Sequence, residues 1–296
     1  RVFDYHGGKS MRKETTDEES WDVLITAKRK WLGLNFRELH QFKDLVKLMI
    51  RREFVSVYKQ TIFGPLWFVF QPLMSTFLYM FVFGNIAQMG TDEIPQALFY
   101  FSGTMLWTFF ATTLQKCSDT FVNNAGLFGK IYFPRFIMPI AYVVNAFFTL
   151  LIQFAVLIVF HINYVARGVT FNVSWWLLAT PVYIVQLGLL GIGFGIMISA
   201  WTTKYHDLRN LVSFGLSLLM YATPVVYPIS SIPAQWKVLF QINPVAPVIE
   251  MFRYSLFGKG SCDLKMWAYS LVVSVVVFLL GLMTFNHNEQ TFVDVI

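Results

Sequence analysis

The chain has 296 residues and is 56% apolar, 18% aromatic and 14% charged, against about 25% charged residues in a soluble domain. Its 31 Phe residues exceed what one globular core needs, so composition excludes an ordinary soluble enzyme and indicates a polytopic membrane protein. The formal charge of +6 hides a division: residues 1–60 hold 13 of the 23 Lys and Arg and 9 of the 17 Asp and Glu, leaving the remaining 236 residues nearly uncharged.

That basic N-terminal region suits a cytoplasmic, phosphate-rich membrane face. A nucleic-acid partner is not expected, because the basic residues form no separate soluble domain. Residues 1–34 read as a charged, loosely ordered segment, with 1–10 an expected non-native or upstream remnant and Met11 an initiator. The "GGKS" at 7–10 is not a phosphate loop, which would need Gly where Phe3 stands. The first 30 residues lack the apolar stretch of a signal peptide.

From Asn35 the pattern sharpens. Phe36, Leu39, Phe42, Leu45, Val46, Met49 and Ile50 recur at helical spacing, with Arg37, Lys43, Lys47 and Arg51 largely on other faces. Asn35 with Glu38 makes a loose capping box. The spacing predicts an amphipathic helix over 35–60, lying in the membrane interface or packed on a partner.

Gly64-Pro65 separates this helix from a transmembrane domain over 63–285. Six apolar runs are expected, at 63–84, 97–116, 136–160, 175–201, 209–228 and 266–285, each near the roughly 20 residues a crossing requires. Pro65 suits a helix opening, where its missing N–H is unpaired anyway, and Pro72 is expected to bend the first span. The loops 117–135, with Lys130 and Arg135, and 202–208, with Lys204, join the basic N-terminal region on the cytoplasmic side. The segments 85–96, with Asp92 and Glu93, and 161–174 lie outside. Both termini are then cytoplasmic, the second as a tail over 286–296. Cys117 and Cys262 fall on opposite sides, so no disulfide joins them.

The segment 229–265 is external yet too apolar for a solvated loop, and Pro224, Pro228, Pro233, Pro244 and Pro247 break it or flank it. Short re-entrant helices are expected there. No internal repeat and no inverted symmetry of a secondary transporter is visible.

No catalytic residue and no metal site is expected. The acids are scattered, no His and Cys spacing suits a metal, and the spans lack the ionisable residues of an ion path. Energy for transport would come from a partner. The candidate channel wall is Asn145 and Gln153 on the third span, Thr104, Trp107 and Thr108 on the second and Tyr79 on the first. Aromatic faces and amides suit sugar rings, although amides in a membrane also tie helices together and Trp and Tyr also mark interfaces. Gly188, Gly191 and Gly195 read as close helix packing. The loop "NNAGLFGKIYFPR" exposes Phe128, Ile131 and Tyr132 and suits docking into another protein, while "TTKYHDLRN" reads equally as docking or as a tight turn.

Four stretches in order, "YKQTIFGPLWFVFQP", "FGKIYFPRFIMPI", "TTKYHDLRN" and "ATPVVYPISSIPAQWKVLFQINPVAPVIEMFR", together resemble the membrane subunit of type-2 ABC exporters for polysaccharides, which carry O-antigen, capsule and teichoic acid chains. The likeness covers about residues 35–290. It implies an all-α, six-span, multi-pass protein of the bacterial inner or plasma membrane. It also implies a homodimer bound to two copies of a separate cytoplasmic ABC ATPase. That ATPase would bind the ATP and Mg, leaving no cofactor in this chain.

On the same resemblance a lipid-linked polysaccharide enters at the cytoplasmic face. Phe128, Lys130, Ile131, Tyr132 and Arg135 couple to the ATPase, with Asp207 assisting. External gate helices occupy 229–257, with Tyr227, Trp236, Phe240 and Phe252 as gate side chains. Arg51, Arg52 and Lys59, with Trp67 and Gln71 beside the bend, are then expected to hold a pyrophosphate at the entry, generic anchoring to membrane lipids being the alternative. One departure concerns "KYHDLRN": the family often shows Arg before Asp-Leu, and here His206 stands there, with Arg209 nearby. Competing functions are an ABC exporter of a small hydrophobic molecule and a membrane-embedded glycosyltransferase or lipid-modifying enzyme, the latter opposed by the absence of clustered acids.

Overall fold

The computed structural model describes residues 40–59, 63–130, 133–205, 207–233, 235–236, 240, 242–260 and 262–292. The expected charged segment 1–34, the start of the amphipathic helix at 35–39, and Ile131, Tyr132 and His206 lie outside the described residues. All regular structure among the described residues is helical.

Helix α1 is Lys43–Tyr58. Its Met49 is buried, and Leu45, Val46 and Ile50 pack on the same cluster as Ile137, Met138 and Ala141. The apolar face that suggested an interfacial helix is thus largely covered by the chain's own third long helix, while Lys43, Asp44, Lys47 and Arg51 stay exposed. Gly64 takes φ +51°, a conformation that only glycine adopts without strain, and Pro65 opens a short 3₁₀ turn at Gly64–Leu66. Helix α2, Trp67–Tyr79, follows with Pro72 inside it and continues as a π-helical stretch, Met80–Ile86.

Helix α3, Gln96–Ser118, is the central column of the fold. Next come α4, Thr120–Phe128; α5, Ile137–Ala166; α6, Thr180–Lys204; α7, Leu208–Tyr221; α8, Val245–Phe257; and α9, Leu264–Phe292. Helix α3 packs on α2, α5, α6, α7 and α8, and α6 packs on both α3 and α9. Glycines allow the α6 contacts. A Cβ at Gly191 would lie 2.7 Å from Thr113 Cγ2, one at Gly195 would collide with Cys117 Cβ, and one at Gly193 would lie 2.8 Å from the Phe278 nitrogen. The packing role expected for Gly191 and Gly195 is therefore met. Gly188 is looser, its nearest neighbour standing 3.7 Å away.

Among the described residues five helical segments are long and apolar enough to cross a membrane: Gly64–Ile86, Gln96–Ser118, Ile137–Ala166, Trp175–Thr202 and Leu264–Asn286. The expected run at 209–228 is different. Its helix α7 has 14 residues, which span about 21 Å against a hydrocarbon core of about 30 Å. Pro224 ends the possibility of extension, since it has no N–H for the helix ladder, and residues 222–225 turn instead.

The expected re-entrant region contains a 3₁₀ turn, Ile229–Ser231, and α8, which is buried along nearly its whole length. Phe252 lies in the core of the bundle with its ring 6.2 Å from that of Phe154. As a gate side chain it is corrected by its burial, since a fully enclosed ring presents no face to a passing ligand. Cys117 is buried beside α6 and Cys262 is exposed at the other end of the bundle.

Candidate functional site

Four helices enclose a cavity of about 310 Å³. From α3 come Thr104, Thr108, Thr112 and Lys116, each four residues after the last, so that they form one stripe. From α5 come Tyr142, Asn145, Thr149 and Gln153, again on one face. Helix α2 supplies Trp67, Phe68, Gln71, Pro72 and Ser75, and α1 supplies Glu53 and Phe54. The structure thus brings Trp67, Gln71, Thr104, Thr108, Asn145 and Gln153 to one cavity, and adds hydroxyls and a charge pair that the sequence reading did not select. The recurrence of Thr104, Thr108 and Thr112 at one-turn spacing was the signal available for them.

Two of the amides have a definite structural task. Pro72 cannot donate to the carbonyl one turn back, that of Phe68, and Gln153 Nε2 donates to this oxygen at 3.1 Å. Gln153 therefore satisfies the acceptor that the proline leaves open and ties α5 to α2 one turn before Pro72. Asn145 Nδ2 donates to the Ile50 carbonyl at 3.1 Å and to Ala141 at 2.8 Å, joining α1 to α5. Its Oδ1 is a buried acceptor with no hydrogen-bond partner among the described residues.

Tyr79 and Trp107 lie elsewhere. They line a second, larger groove of about 670 Å³ with Gln115, Asp119, Asn123, Ser213, Met220 and Tyr221. Thr112 and Lys116 belong to both cavities and form the wall between them. Of the expected entry cations, Arg52 is engaged, donating to Asn124 Oδ1 at 3.0 Å and pairing with Glu53 at 3.2 Å. Arg51 and Lys59 are exposed, and neither lines these cavities.

The family described as ABC-2 type transporter matches residues 44–257. The chain belongs to the ABC-2 type transporter family. It is similar to the O-antigen export system permease protein RfbA of Klebsiella pneumoniae, with 27% identity over 254 residues covering 86% of this chain and 95% of the relative. It is also similar to the O-antigen export system permease protein RfbA of Myxococcus xanthus, at 22% identity over 87% of this chain and 97% of the relative. The polysialic acid transport protein KpsM of Escherichia coli matches at 21% identity over 84% of this chain and 95% of the relative.

In this ABC-2 transporter chain Phe128, Lys130, Arg135 and Asp207, the described residues among those expected to couple to an ATPase, lie at the end of the bundle that carries Arg52 and Lys116. Phe128 packs against Phe121 and Phe133, and the Arg135 guanidinium lies 5.6 Å from the Phe128 ring. Lys130 is exposed, and so is Asp207, which precedes α7. Arg209 donates to Asp119 Oδ1 at 3.0 Å and to Asn123 Oδ1 at 2.9 Å, linking α7 to the loop at 117–135. Of the expected gate side chains, the Tyr227 ring meets the Phe240 ring edge-on at 5.8 Å and Trp236 is exposed.

Arg253 is a structural centre that the sequence reading missed. It is fully buried, and its guanidinium donates to the carbonyls of Pro224 at 2.6 Å, Val225 at 2.8 Å and Phe99 at 3.0 Å, while pairing with Glu250 at 3.5 Å. It also covers the Phe99 ring at 3.7 Å. Burial pulls its pKa down to about 10, against the opposing pull of Glu250, so it stays charged at neutral pH. This clamp fastens α8 to the turn that follows α7 and to the start of α3.

Proposed function

We propose that this chain is the membrane subunit of an ATP-driven exporter that carries a lipid-linked polysaccharide out through the bacterial inner membrane. The observation that carries the reading is the cavity itself. Its walls combine aromatic rings, a stripe of Thr hydroxyls and three amides, a chemistry suited to sugar rings, which offer C–H faces and hydroxyls together. The relatives named for O-antigen and polysialic acid transport match along nearly their whole length, which supports the same cargo class.

In this reading two copies of the chain assemble with two copies of a cytoplasmic ABC ATPase that binds ATP and Mg. Helix α7 leaves Leu211, Phe214 and Leu218 exposed, an apolar face suited to cover by the second copy. The end of the bundle bearing Arg51, Arg52, Lys59, Lys116, Lys130, Arg135 and Arg209 faces the cytoplasm, as the positive-inside rule requires, and both termini lie there. Phe128, Lys130, Arg135 and Asp207, with Ile131 and Tyr132 of the same loop, contact the ATPase. Tyr227, Trp236 and Phe240 border the external exit.

Depletion of the protein in its native host, followed by localisation of lipid-linked glycan, tests this reading. Accumulation of glycan on the cytoplasmic face is the expected result. An unchanged glycan inventory on both faces contradicts it.

A further inference from the structure

The wall between the two cavities ends in a charge that the expected entry cations do not explain. Lys116 closes the stripe begun by Thr104, Thr108 and Thr112 and borders both cavities. Its ammonium lies 3.7 Å from Glu53 Oε2 and 5.8 Å from the centre of the Tyr142 ring. A charge-assisted N–H···O bond spans about 2.7–2.9 Å, so Glu53 neutralises Lys116 without forming a close bond to it. Glu53 has a second cation in Arg52, at 3.2 Å, which Asn124 also holds. Releasing Lys116 therefore leaves no unpaired carboxylate behind.

We propose that Lys116, held in reserve by Glu53, binds the phosphate or pyrophosphate of the lipid-linked substrate as it passes from one cavity to the other. The inference rests on the exporter reading, which supplies a lipid-linked glycan as occupant. A lysine is suited to this task because its ammonium is a mobile point charge with three donors on a flexible stem. A pyrophosphate brings more negative charge than one carboxylate and displaces Glu53 from it. The Thr stripe presents hydroxyls to the same ligand one helical turn at a time.

The test uses the full chain assembled with its ATPase in lipid nanodiscs. Binding is measured for three probes, a short polyprenyl pyrophosphate, the matching polyprenol and phosphatidylglycerol. Lys116→Gln is expected to weaken the pyrophosphate probe about tenfold, equivalent to about 1.4 kcal/mol. Lys116→Arg should retain binding, and Glu53→Gln should tighten it by releasing the lysine. The polyprenol and phosphatidylglycerol should bind equally to all variants.

Unchanged pyrophosphate binding in Lys116→Gln overturns the proposal, and so does an equal loss for phosphatidylglycerol, which would mark a general anionic-lipid site. If Lys116→Gln fails to assemble, Glu53→Gln decides, since weaker or unchanged binding there is the contrary result. Binding is read without transport. Glycan accumulation on depletion combined with unaltered probe binding would therefore sink this site and leave the exporter reading standing.

Discussion

Pro72 has no N–H to offer the Phe68 carbonyl, and Gln153 Nε2 supplies the missing donor. Replacing Gln153 by Leu leaves that oxygen without a partner at the α2–α5 contact. Side-chain hydrogen bonds between membrane helices contribute about 0.6 kcal/mol on average and up to about 1.7, so Gln153→Leu should destabilise the protein by an amount in that range. In a Pro72→Ala background residue 72 regains its N–H, and Gln153→Leu should then cost measurably less. A double-mutant cycle on thermal unfolding in detergent checks this, and equal costs in the two backgrounds would count against the pairing. Arg253 is the stronger case, a buried cation on three carbonyls and Glu250. Arg253→Ala should lose about 3–5 kcal/mol by removing the cation of a buried ion pair. The same unfolding assay should show Arg253→Met with Glu250→Gln to be less damaging. Pro72 inside the first long helix was legible in the sequence, but the group that serves its orphaned carbonyl was not. Gln153 lies on another helix, and pairing between helices leaves no period in the chain.

Single helices were legible where periodicity or small residues carried the signal. The one-turn spacing of Thr104, Thr108 and Thr112 foretells a polar stripe, and Gly191 with Gly195 foretells a close contact between helices. That contact has a sharp test. Gly195→Ala places a methyl against Cys117 and 2.7 Å from the Leu114 carbonyl, whereas the nearest neighbour of a methyl at Gly188 is 3.7 Å away. Overpacking of this kind costs about 1–3 kcal/mol, so Gly195→Ala should lower the melting temperature while Gly188→Ala leaves it nearly unchanged. The ends of elements were less legible. Hydropathy runs smoothly from 209 to 228, yet Pro224 and the turn around it stop α7 at Tyr221. The apolar, proline-broken segment 229–265 suggested short re-entrant helices, of which 245–257 forms one element. In the fold it is a buried helix, because Arg253 binds it to α3 and to the turn after α7.

For the whole molecule, the division of charge between the two ends of the bundle is the feature from which an orientation is predicted. Arg52, Lys116, Lys130, Arg135 and Arg209 share one end, while Asp92, Glu93 and Glu250 sit with Lys259 and Arg253 at the other. Cys262 is exposed at that second end and Cys117 is buried. A membrane-impermeant maleimide applied from outside to spheroplasts should therefore label Cys262 in the wild type and nothing in Cys262→Ser. Labelling of Cys262 only after permeabilisation would invert the orientation. Hydropathy anticipated five of the long helices and counted a sixth at 209–228 that the described residues do not form, and the cavity that the helices enclose could not be anticipated. It arises from α1, α2, α3 and α5 together, and no one stretch of sequence records that assembly. The most direct test of the exporter account is translocation in proteoliposomes holding this chain and its ABC ATPase, with labelled lipid-linked polysaccharide supplied on the ATPase side. The account expects ATP-dependent delivery of glycan to the opposite face, abolished by Thr108→Trp, which fills the cavity, while ATPase assembly persists. Delivery without ATP, or undiminished delivery by the Thr108→Trp variant, would contradict it.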